Sequence, residues 1–183
     1  MLVFPVVQAM YHPIVQTLTK ERPAMADSVE RRELTFSNVD EIVADARRLA
    51  AGEVRACGSH SFGQILHHLA LSHDVATGQL IAPSPPLFMR LLMPLMKRMV
   101  INAKPLKPGI KLPAKGEAFF WPNKEFEVSE AIKYLEESVE NYKTNGPLEI
   151  HPFFGKLNQA EADQLVCRHA ALHLSFVHPV VIS

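Results

Sequence analysis

The nine histidines of this chain are where chemistry is first expected, because neutral imidazole is the commonest protein ligand for divalent transition metals and ordinarily titrates near neutrality. Two of them, His169 and His173, stand four residues apart in AEADQLVCRHAALHLSFV. On a helix that spacing puts both rings on one face, about one turn apart, where they can share one ion. Ala162, Leu165, Val166 and Phe176 fall on the same stripe, so the pair points into a core. Two core histidines bonded to carbonyls or waters are the structural alternative. The run His-Ala-Ala-Leu-His has Ala170 where a His-Glu-x-x-His protease carries its glutamate base, which disfavours that class. A catalytic site of the zinc type usually has three protein ligands and one open position, so a third ligand must come from another helix. The segment FGQILHHLALSHDVATGQL offers His67, His68 and His73. A helical wheel aims His73 nearest the centre of the apolar face and leaves His67 and His68 on its flanks, so the pattern alone leaves all three open.

The elements that must position these rings are legible from local signals. Residues 38–51 read as a first helix, with Ser37 as N-cap, acids in the first turn and Gly52 beyond the last. Ser61 and Gln64 form a capping-box pattern that opens the second, histidine-bearing helix, which Pro83 must stop. A third helix over 129–144 ends at Asn145, Gly146 and Pro147, and Asn158 with Glu161 opens a fourth that runs toward Pro179. Between the second and third lies a long connection with Pro83, Pro85, Pro86, Pro105, Pro108, Pro113 and Pro122, too proline-rich for a sheet or one long helix. Within it, LFMRLLMPLMKRMVI is apolar but carries Arg90, Lys97 and Arg98 and is interrupted by Pro94, so it falls short of a membrane span. We read it as a packed extra helix, a lid over the helices or a dimer contact, with a membrane-surface role for 87–101 as the rival. The expected fold is all-α, a four-helix bundle with a long crossover between helices two and three, whose metal sites form from side chains projecting inward.

Length and composition limit the rest. A chain of 183 residues, 48% hydrophobic, is the size of one domain with a substantial core. Residues 28–183 are assigned to it, and residues 1–27 to an irregular extension without the basic start of a signal peptide. Met25 opens the ordinary polar run MADSVERREL and is an alternative start that intact-mass measurement would reveal. Nineteen basic residues balance nineteen acidic ones, so neither nucleic acid nor a membrane is expected as a partner. Cys57 and Cys167 are isolated, which excludes a disulfide framework or zinc ribbon and fits a reducing, cytoplasmic setting.

Two segments resemble the DinB-like superfamily of metal-dependent four-helix-bundle proteins. GQILHHLALSHDVA is similar to the stretch that carries one ligand there, and the match places that ligand on His68. The pair His169 and His173 matches the His-x-x-x-His of the last helix, and His151, Pro152, Phe153, Phe154 and Gly155 match the His-Pro-x-Phe-Gly stretch that precedes it in one branch. The resemblance covers residues 31 to 177 and implies a metal triad of His68, His169 and His173. It departs from that branch at Leu172, where a further histidine is common, and in the apolar ending Phe176, Val177, His178, Pro179. Three neutral imidazoles leave an ion its full charge, which lowers the pKa of water or a thiol bound to it. Imidazole suits several metals, with zinc the first choice and nickel the second. The resemblance implies a hydrolase or a thiol transferase acting on a small-molecule substrate with a low-molecular-weight thiol. The alternative is a non-catalytic binding or homodimerisation module with a structural metal or none. Lys111, Lys115, Phe119, Phe120 and Trp121 line the mouth of such a pocket or merely anchor the loop, and His151 contacts the site or fixes the turn before the last helix.

Overall fold

The structure, a computed structural model, describes residues 30–102 and 112–180, and the extension expected over 1–27 lies outside them. The described chain is predominantly helical. In order it forms α1 (Val39–Ala50), β1 (Val54–Ala56), α2 (Phe62–Thr77), α3 (Leu87–Asn102), α4 (Ala114–Phe120), α5 (Val128–Asn145), β2 (Ile150–His151), β3 (Gly155–Lys156), α6 (Gln159–Leu174) and β4 (Val177–Pro179).

Three of the major helices, α1, α2 and α6, begin where a side chain satisfies one of their first amides. At α2, Ser61 accepts from the Gln64 amide at 3.3 Å while the Gln64 side chain accepts from the Ser61 amide at 3.0 Å. At α6, Asn158 and Glu161 exchange the same pair of bonds at 2.9 and 3.1 Å. The cap of α1 is Asn38 rather than Ser37, because Asn38 reaches the Glu41 amide at 3.0 Å while the Ser37 amide is bound by the Glu41 carboxylate at 2.7 Å. The cap is therefore shifted by one residue. The second helix ends earlier than expected, at Thr77, because Gly78 adopts the left-handed conformation at φ 79°. Asn158→Ala should cost about 1 kcal/mol in urea unfolding, since it removes the Oδ1 that accepts from the Glu161 amide and strands that amide.

One core unites α1, α2, α5 and α6 through Ile42 and Leu49, Leu66 and Leu69, Leu135, and Leu174, all essentially without solvent contact. Burying side chains of this size contributes about 1.5–3 kcal/mol each, so this contact sets the relative placement of the histidine-bearing helices. A smaller cluster of Val100, Ile101, Leu157, Ala162 and Leu165 holds the C-terminal end of α3 against α6. The extra helix expected within the crossover exists, but it packs through only part of its length.

Two short antiparallel pairs accompany the helices of this mainly α chain. β1 pairs with β4 in the register Val54↔Pro179, Arg55↔His178, Ala56↔Val177. The fourth helix therefore stops at Leu174 instead of running to Pro179. β2 and β3 form a hairpin through the His-Pro-Phe-Phe-Gly stretch, with Gly155 at φ 71°. Among the described residues, no helix is long and apolar enough to cross a membrane.

Candidate metal centre

α2 and α6 bring three imidazoles together across the core. His68 is buried, and His169 and His173 are partly buried on the neighbouring helix. His169 Nε2 lies 3.1 Å from His68 Nε2 and 3.1 Å from His173 Nε2. The three ligand atoms are all within 4.8 Å of one another. A tetrahedral ion with metal–nitrogen bonds of about 2.05 Å sets its ligands about 3.3 Å apart. Two of the spacings are already close to that geometry, and the third is no more than 4.8 Å.

The proton count also favours a cation. His68 Nδ1 lies 3.2 Å from the carbonyl oxygen of Phe120, so its proton belongs on Nδ1 and its Nε2 is a bare lone pair. Both N···N contacts then depend on the single Nε2 atom of His169. Neutral rings can make one of them a straight hydrogen bond, not both. Protonating a ring would relieve this, but burial pushes His68 and His173 well below their ordinary pKa, with the neighbouring histidines adding to the shift. Burial likewise holds His169 down to about 4, His151 contributing. An ion at the centre would accept all three lone pairs, and the Phe120 carbonyl is the kind of outer partner that orients a ligating ring.

The loop after α4 forms one wall. Trp121 stacks face to face on His68, with ring centroids 3.9 Å apart and planes 10° apart. Its other face carries His60 at 3.7 Å and 12°. Phe120 meets His68 edge-on at 5.9 Å and Phe153 at 6.0 Å. Of the loop residues expected at the mouth, Phe120 and Trp121 reach the centre, Lys115 is exposed to solvent, and Lys111 lies outside the described residues. From the other side, the Arg31 guanidinium sits 5.0 Å over Phe176 and donates from Nε to Ser175 Oγ at 2.8 Å. Its charge is one more cause of the low His173 pKa.

Over residues 28–180 the sequence matches the family described as "Protein of unknown function (DUF1569)". The chain belongs to the DUF1569 family. No curated protein and no solved structure matches it.

In this DUF1569 chain the remaining histidines divide clearly. His73, which the wheel aimed at the core, is indeed buried there, but it bonds Ser138 Oγ at 3.2 Å and stays away from the centre. Because Ser138 donates its own proton to the Leu135 carbonyl, His73 must be the donor, a satisfied core histidine whose pKa burial lowers to about 3. His67 stacks on Phe126 at 3.8 Å. His151 Nδ1 accepts from the amides of Phe153 and Phe154 at 3.2 and 3.4 Å, which pins the hairpin before α6. His60 was not singled out by spacing, and its place beside the centre follows only from the stack on Trp121.

Proposed function

We propose that this DUF1569 protein is a metal-dependent enzyme in which the Nε2 atoms of His68, His169 and His173 hold one divalent ion, in a four-helix arrangement of the DinB-like kind. The observation that carries the reading is the convergence of three buried or partly buried imidazole nitrogens on one point, where neutral rings can satisfy only one of the two N···N contacts with a proton. Zinc is the first choice of ion and nickel the second. When bound, the ion supplies the Lewis acidity that makes water or a thiol nucleophilic near neutral pH.

The chain's own residues do the rest. The Phe120 carbonyl fixes the tautomer and orientation of His68. Trp121 covers the buried face of that ring and keeps water from it, whereas His169 and His173 keep some solvent exposure. A small substrate would then approach from the side of α6, whose two histidines are the less buried of the three. Hydrolysis and transfer of a low-molecular-weight thiol both fit such a site, because each needs one activated nucleophile and one open position.

Trp121 is the sole tryptophan of the chain, which makes the test direct. Nickel added to metal-stripped, untagged protein should quench tryptophan fluorescence to a plateau at one equivalent, because the indole lies against a ligand ring. Zinc should compete for the same site. Unchanged fluorescence together with no retained zinc or nickel by elemental analysis would sink the reading, leaving a helical binding or dimerisation module.

A further inference from the structure

Helix α3 presents an unusual surface. Leu87, Phe88, Leu91 and Leu95 are 71, 67, 67 and 80% exposed, and Leu92 beside them is 48% exposed. At about 100° per residue, Leu87, Leu91 and Leu95 form one line, with Phe88 and Leu92 along its flank. Arg98 closes that line at its C-terminal end and Arg90 borders it, both exposed. The opposite face is the one that docks, through Val100 and Ile101 and through Lys97, which binds the Lys156 carbonyl and the Glu161 carboxylate at 3.0 Å each. The stripe is therefore left outward by the same contacts that hold the helix.

The charge along the sequence is as uneven as the exposure. Residues 75–116 contain seven lysines and arginines and no aspartate or glutamate, while the rest of the chain carries twelve against nineteen. The overall neutrality hides a stretch of sequence without a single acid, and among its described residues Arg90 and Arg98 border the apolar stripe. A second copy is a poor cover for it, since a two-fold contact through the stripe would bring Arg90 and Arg98 of both copies together with no carboxylate on either side. An anionic lipid surface satisfies both features at once, taking leucine and phenylalanine side chains at the acyl boundary and arginine heads among its phosphates.

We propose that the outward face of α3, built on Leu87, Phe88, Leu91, Leu92 and Leu95 and bordered by Arg90 and Arg98, docks on an anionic membrane surface. At 16 residues the helix is about 24 Å long, too short to span, and it lies in the interface plane. The surface is independent of the histidine centre, so the proposal stands whether or not that centre holds a metal.

The test is co-sedimentation of the full chain with vesicles of phosphatidylcholine alone and of phosphatidylcholine with phosphatidylglycerol, at low and high salt, with light scattering in parallel. Binding is expected to the anionic vesicles only, and to weaken with salt. Two paired variants separate the contributions, Leu91→Glu with Leu95→Glu, and Arg90→Glu with Arg98→Glu. All four positions are exposed, so both proteins should keep the wild-type melt. The apolar pair should abolish binding, and the charge pair should weaken it about thirtyfold or more, at roughly fivefold per basic group removed from the surface. Absence of binding to anionic vesicles, or binding that survives both variants, overturns the proposal. So does a dimer that the leucine variants dissociate in a protein that ignores vesicles, which would give the stripe to a second copy.

Discussion

His68→Ala and His169→Ala should each lower metal affinity by at least about 100-fold, so that protein isolated without a tag falls from about one ion per chain to a trace. Altering a partner one shell out from a metal already costs about 10–100-fold, and removal of a ligand costs more. His169 should be the more severe of the two, because its Nε2 is the atom that both other rings approach at 3.1 Å. His73→Ala is the control. His73 lies on the same helix as His68 and is equally buried, yet it is bonded to Ser138, so its loss should lower stability and leave metal content unchanged. Elemental mass spectrometry on the three variants separates the cases. Equal metal content in wild type and both ligand variants would refute the three-histidine site.

Gly63→Ala should be among the most damaging single changes in the chain, despite adding only a methyl group. Helix propensity alone favours alanine by about 1 kcal/mol. Against that, a Cβ at position 63 would lie 2.0 Å from the carbonyl oxygen of Phe126 and 3.0 Å from its carbon. These are backbone atoms, so no side-chain rotation relieves the overlap, and either the start of α2 or the segment joining α4 to α5 must shift. We expect a loss of about 3 kcal/mol or more, and a melting temperature lower by about 6–12 °C. The displaced segment also carries Trp121, so the nickel-induced quench should weaken along with the melt. A melt indistinguishable from wild type would contradict the close approach of these two backbones.

How far the sequence could be read depended on the range of the interactions involved. Capping boxes act within four residues, and both Ser61 with Gln64 and Asn158 with Glu161 form as their spacing suggests. The shared face of His169 and His173 is likewise a property of one helix turn. The choice among His67, His68 and His73 is different, because what distinguishes them is a carbonyl 52 positions away in Phe120 and the indole that follows it. The wheel reported burial correctly for His73, but burial does not specify what a ring is bonded to. β1 and β4 escaped detection because three-residue strands are too short to show a period of two, and their pairing joins segments over a hundred residues apart. For α3, hydropathy indicated a helix but not which face would remain uncovered, since that depends on the position of Glu161 and the hairpin carbonyl of Lys156.

The separation of His68 from His169, 101 positions along the chain, bears on how long the folded molecule lasts. His169 and His173 form a local clasp that a single helical turn presents, and an ion held there alone would barely restrict an open chain. Taking hold of His68 as well ties together segments about a hundred residues apart, which only the folded chain brings within reach of one ion. An ion gripped at all three points must let go before those segments can part, so loading would act chiefly on the rate of coming apart rather than on the rate of assembly. The same rings that would prepare a nucleophile would then also time the survival of the protein between one unfolding event and the next.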